Sequence, residues 1–95
     1  MTHESHRTVL ERFLGQVVVV DLSSPYVCLG VLAQIHDDFL EITDADFHDF
    51  RDSTATREIY VYDSVRLGVR RNRGRVLVRR DQIVAVSPFD EILES

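Results

Sequence analysis

Ninety-five residues with 44% hydrophobic content supply one core and not two, since a chain of this size hides roughly 60–65% of the surface its unfolded form exposes. A formal net charge of −5 argues against a protein coated in basic surface for phosphate binding. The longest aliphatic run, Val17 to Val20, falls far short of the roughly 20 apolar residues a membrane-spanning helix needs.

The polar N-terminus lacks a signal peptide's apolar stretch, so a cytoplasmic protein with no membrane partner is expected. It reads as a single domain over residues 1–95. Residues 4–14, ESHRTVLERFL, carry Val9, Leu10, Phe13 and Leu14 on one side of a short helix, with Ser5 as N-cap and Gly15 as stop. The β-branched run QVVVVDL follows as a strand, then the turn formers SSP, then YVCLGVLAQI. Gly30 in the middle of that second strand weakens pairing but permits a sharp bend, the mark of a small, strongly curved barrel. Cys28 lies in the same strand and is the only cysteine, so packing rather than redox chemistry is its expected role. After HDD, the segment FLEIT points Leu40 and Ile42 to one face and Phe39, Glu41 and Thr43 to the other.

Residues 44–53 are polar and acidic and read as a loop that opens an insertion over about 44–74. Within it, STATREIYVYDSVRLG has two readings. Ser53 or Thr54 can cap a helix ending at Gly68, with Ile59, Tyr62 and Val65 at helical spacing, whereas EIYVY alone reads as a strand. The helix is preferred because Asp63 and Ser64 interrupt a strand. VRRNRG forms a turn, RVLVRR and QIVAVS are two strands parted by a corner at Arg80–Asp81, and Pro88 ends the last. The tail is expected to dock through Phe89 and Ile92.

The stretch IHDDFLEITDADFHDF concentrates acids, histidines and phenylalanines, and asks for a chemical role. Its D-x-D and H-D spacing lacks the Gly and the terminal bidentate Glu of an EF-hand, and a hydrophilic loop does not part the pKa values of paired carboxylates as catalysis requires. Neither a metal, a cofactor nor an enzyme is expected. Phe47 and Phe50 read as apolar pegs that anchor the loop. His3 and His6 read as parts of a terminus without a role.

The order of elements, and two segments in particular, resemble the Sm-like (LSm, Hfq-like) family of small β-barrels. LGQVVVVDL…GVLAQIHDDFLEI looks like the first Sm motif, with Asp37 on the motif Asp, Leu40 on its Met, Glu41 on its Asn and Ile42 on the apolar position after it. VLVRRDQIVAVS resembles the second, with Arg79 on the motif Arg, Arg80 on the Gly and Asp81 on the Asn. The match covers roughly residues 8–46 and 75–88. The resemblance implies a mainly β fold, a strongly bent five-stranded Sm-like (SH3-like) barrel with an N-terminal helix and a helical insertion between strands 3 and 4. It also implies a homo-oligomeric ring that holds single-stranded RNA, with a base stacked on Phe39 and its edge met at Glu41. The RNA-binding set that the resemblance implies is thus Asp37, Phe39, Glu41, Arg79, Arg80 and Asp81.

All eleven basic residues are Arg, and seven lie within residues 66–80, a stretch without an acid. Such guanidinium forks suit phosphate and base stacking, yet no aromatic is interleaved. The favoured reading makes Arg70, Arg71, Arg73 and Arg75 an interface that meets the acidic loop of the next copy, because a head-to-tail contact joins different patches and can close a ring. The alternative to an RNA-binding module is an adaptor that binds protein through its acidic loop and insertion, with no nucleic-acid ligand.

Overall fold

A computed structural model of the chain describes residues 9–49 and 57–93. Its centre is one five-stranded antiparallel sheet of β1 (Val17–Leu22), β2 (Tyr26–Ile35), β3 (Phe39–Asp49), β4 (Arg73–Arg79) and β5 (Ile83–Pro88), in the order β4-β3-β2-β1-β5. A short N-terminal helix precedes the sheet, a second helix (Arg57–Leu67) stands between β3 and β4, and one-turn 3₁₀ segments follow β4 and β5. The N-terminal helix is described from residue 9. It is helical only to residue 11 and then turns, and Gly15 (φ +81°) swings the chain into the sheet by donating its N–H to the Leu32 carbonyl at 2.8 Å.

Alternation along β1 and β2 sends side chains to two opposite faces, and both are covered. The inner face gathers Val18, Val20, Leu22, Cys28, Leu32, Leu40, Ile42, Ala45 and Val78 into the main core, closed at one side by Leu10 and Phe13. Fully burying an aliphatic side chain of this kind stabilises by about 1.5–3 kcal/mol. The outer face of β1 and β2 carries Val19, Val27 and Leu29, covered by Tyr60 and Val61 of the insertion helix and by Phe89 and Ile92 of the tail.

Gly30 makes the bend possible. A Cβ built there would lie 2.6 Å from Ile42 Cγ2 and 2.8 Å from the Thr43 carbonyl oxygen, so only a residue without a side chain lets β3 cross so closely. Opposite Gly30, β3 holds one residue too many: Leu29 pairs with Asp46 and Val31 with Thr43. Asp44 takes a positive φ of 49° at this bulge. A bulge shifts the alternation by one, so the inward set passes from Leu40 and Ile42 to Ala45 and Phe47, and Asp46 and His48 turn to the outer face.

Two expectations are corrected here. Residues 44–49 are strand and not loop, since β3 runs on to Asp49. The preferred helix is present over Arg57–Leu67 and ends at Gly68 (φ +94°), whose N–H donates to the Ser64 carbonyl at 2.9 Å; its expected caps, Ser53 or Thr54, lie outside the described residues. However, its buried side is Tyr60, Val61 and Ser64 rather than the stripe through Ile59, which is 52% exposed. The helix lies against a sheet face that the sequence had not assigned to it. Phe47 does peg β3 inward and stacks on Tyr26 with ring centroids 4.8 Å apart, while Phe50 lies outside the described residues.

Candidate functional site

The β2–β3 turn and the β4–β5 corner meet at one end of the sheet. Arg80 N–H donates to the Asp38 carbonyl at 2.9 Å and Arg80 Nη1 to the His36 carbonyl at 3.0 Å. On the far side of the corner, Ser23 donates through its N–H to the Gln82 carbonyl at 2.8 Å and through its hydroxyl to Gln82 Oε1 at 2.9 Å. Arg80 opens a 3₁₀ turn and is not among the positive-φ residues, so the corner needs no glycine.

Between turn and corner is an open cleft of about 680 Å³ lined by Asp37, Asp38, Phe39, Arg79, Arg80 and Asp81. Five of the six sequence-derived RNA-binding residues therefore line one concavity, and Asp38 joins them. Phe39 and Arg79 are register partners across β3 and β4, so they leave the sheet on the same side. Phe39 is 36% exposed, a large share for an aromatic at the mouth of a cleft. Arg79 Nη2 donates to Asp81 Oδ2 at 2.7 Å, and both side chains are mostly in solvent, where such a pair contributes little to stability.

Glu41 is not part of the cleft lining. It stands beyond Phe39 on the same outer face, opposite Leu77 of β4. Its Oε1 lies 3.1 Å from His36 Nε2 and its Oε2 3.5 Å from Arg75 Nε, with the Glu41 side chain only 15% exposed. Of the Arg70, Arg71, Arg73 and Arg75 set, all four are exposed, but Arg75 is thus already paired within its own chain.

At the other end of β3 the structure assembles a group that the sequence reading missed. Asp46, 3% exposed, accepts hydrogen bonds from the Tyr60 hydroxyl and, at 3.0 Å, from Asn72 Nδ2. The Asn72 side chain also clasps the backbone of Phe47, donating to its carbonyl at 3.2 Å and accepting from its N–H at 3.0 Å. Tyr60 stacks on His48 with centroids 4.2 Å apart. Burial, the bond to Asp46 and that residue's charge hold the Tyr60 hydroxyl well above its ordinary pKa, and burial with the nearby Asp46 carboxylate pushes the Cys28 thiol up to about 12. Both groups stay protonated near neutrality. Cys28 is fully buried and inert as a nucleophile, because the thiolate is the reactive form. This group fastens the insertion to the sheet, and with Asp46 consumed in it, that acid is not available to a neighbouring copy.

No family model matches the chain, and no curated protein matches it in sequence. Solved structures do match in shape. An Sm protein from Pyrococcus abyssii, solved in complex with a uridine heptamer, superposes with a TM-score of 0.57 at 20% identity over 86% of this chain and 94% of that one. An Sm-like protein from Archaeoglobus fulgidus gives 0.58 at 15% identity over 86% and 91%. A chain of the NatC complex bound to CoA gives 0.54 at 16% identity over 83% and 82%. The fold of this chain is the Sm-like fold.

Proposed function

From its Sm-like fold, we propose that this chain is an oligomeric binding module that takes single-stranded RNA on the outer face of β3 and β4, beside the cleft. The observation that carries this is the Phe39–Arg79 pair, an exposed ring and a guanidinium side by side on one sheet face. A base is flat on both sides, and an aromatic platform with an adjacent Arg is a sequence-tolerant way to hold it. That a neighbour in fold was solved with a uridine heptamer supports the same ligand class.

Assembly is supported by the sheet's edges. β4 and β5 stand at opposite ends of the strand order, each with one side unpaired among the described residues, and each exposes an apolar side chain, Leu77 at 52% and Val84 at 70%. Unpaired edges invite strand addition. Pairing β4 of one copy with β5 of the next is a head-to-tail contact that closes into a ring when the rotation allows. Arg70 and Arg71, just before β4, and Arg73, its first residue, flank that joint and are the charged part of the proposed interface.

The test is a fluorescence-anisotropy titration with a labelled uridine heptamer at two salt concentrations, with light-scattering mass measured alongside. Binding that weakens with salt, and a loss on the order of 1–3 kcal/mol per stacked base for Phe39→Ala, is the expected result. The adaptor reading has an observation of its own: three of the five charged groups in the cleft are acids, and both arginines already have partners. A protein that takes up no RNA at any salt hands the function to that reading.

A further inference from the structure

We infer that Glu41 makes this module selective for guanine. The inference rests on the RNA reading above and adds to it the identity of the base. Phe39 and Glu41 are two apart on β3 and leave the sheet on the same face, about 7 Å apart along the strand, so a base lying on the Phe39 ring turns one edge toward the Glu41 carboxylate. That carboxylate is fixed. His36 Nε2 holds Oε1 at 3.1 Å and Arg75 Nε holds Oε2 at 3.5 Å, and the register of β3 on β4 keeps Leu77 directly opposite.

An ionised carboxylate offers about four lone-pair positions and no donor. His36 takes one position on Oε1, and Arg75 stands at ion-pair distance from Oε2, so each oxygen keeps acceptor capacity for a further donor. Two adjacent acceptors match two adjacent donors. Guanine alone among the four RNA bases carries such a pair on its Watson–Crick edge, the N1–H and the N2 amino group. Uracil's single N3–H sits between two carbonyl oxygens that repel the carboxylate, and adenine and cytosine each set a ring-nitrogen lone pair beside their amino group. The Arg75 guanidinium also offsets the charge of Glu41 toward the phosphates of the bound strand. Single-stranded RNA presents these edges freely, because its bases are unstacked and splayed outward when bound.

The experiment compares four labelled heptamers on the wild-type protein: all-uridine, all-adenosine, adenosine with one central guanosine, and the same with inosine at that position. A single guanosine avoids quadruplex formation. The expected result is that the guanosine heptamer binds on the order of ten- to a hundredfold more tightly than the adenosine and uridine heptamers, and that inosine, which lacks only the N2 amino group, loses most of that gain. Glu41→Gln, which keeps the shape and replaces one acceptor by a donor, should flatten the preference, read as the ratio of guanosine-heptamer to adenosine-heptamer affinity within the same protein. If that variant unfolds, the inosine comparison on wild type decides alone. Equal affinity for guanosine and inosine, or tighter binding of uridine, overturns the guanine inference and leaves the RNA reading standing. Failure of all four heptamers to bind overturns both.

Discussion

The two halves of β3 carry the same kind of acid to the same side of the sheet and do opposite things with it. Near the cleft, Glu41 is met by the His36 imidazole and the Arg75 guanidinium, from a turn and an edge strand at the surface. Past the bulge, Asp46 is met by neutral donors, Tyr60 and Asn72, under a layer of helix and tail. The difference is one of cover. Where the insertion packs on the outer face, a carboxylate becomes part of the structure that locks the layers together. Where no layer covers the face, the carboxylate pairs only with side chains of the adjoining turn and edge strand.

Replacing Asp46 with Ala breaks the covered half. The Tyr60 hydroxyl and the Asn72 amide then lose their bonds to the Asp46 carboxylate, the amide keeping its bond to the Phe47 carbonyl, and losing hydrogen bonds to a buried carboxylate should cost about 3 kcal/mol. Urea denaturation read by far-UV circular dichroism measures it. A loss below about 1 kcal/mol would show that the helix is held by Val61 and its apolar neighbours alone.

Alkaline pH weakens the same half without a mutation. Cys28 has its folded pKa raised from 9.0 to about 12, so above pH 9 the unfolded chain gives up the thiol proton that the folded chain keeps. The stability this contributes is complete below pH 9 and is lost as pH rises toward 12, at a slope approaching about 1.4 kcal/mol per pH unit. The Tyr60 hydroxyl, shifted in the same direction, adds to the loss. Melting temperature recorded from pH 7 to 11 should be flat and then fall, and Cys28→Ala should make the fall shallower. An unchanged profile in that variant would assign the loss to Tyr60.

The open half should tolerate its own substitution. Glu41→Gln removes an ion pair with Arg75, whose side chain is largely in solvent, and changes a hydrogen bond with the surface residue His36, so its stability should change by less than about 1 kcal/mol, against the larger loss at Asp46. Measured on the same denaturation curves, an equal loss at both positions would erase the distinction drawn between covered and open carboxylates.

Much of this was legible in the chain. The β-branched run at Val17–Val20, the mid-strand Gly30, the helix-ending Gly68 and the corner at Arg80–Asp81 are each dictated by local sterics. Strand length, bend and stop could therefore be read from the residues themselves, and the two motif-like segments brought Asp37, Phe39, Arg79, Arg80 and Asp81 to one cleft. What misled was the acidic run at 44–49. Leu40, Ile42, Ala45 and Phe47 are one inward-facing row, but the extra residue at Asp44 breaks their alternation, and a broken alternation full of acids looks like a loop.

Only the tertiary structure decided which side Asp46 would face, because that depends on β3 passing against Gly30 and adding a residue there. Likewise only packing chose the buried side of the insertion helix. Its apolar residues form no clean stripe, so the helix lies with Tyr60 and Val61 against Val19, Val27 and Leu29, where apolar surface and a hydrogen-bond acceptor were both waiting. A one-dimensional pattern records how each residue relates to its near neighbours. It cannot record a shift in register forced by the neighbouring strand, and that shift separates the carboxylate buried under the insertion from the one at the uncovered end of β3.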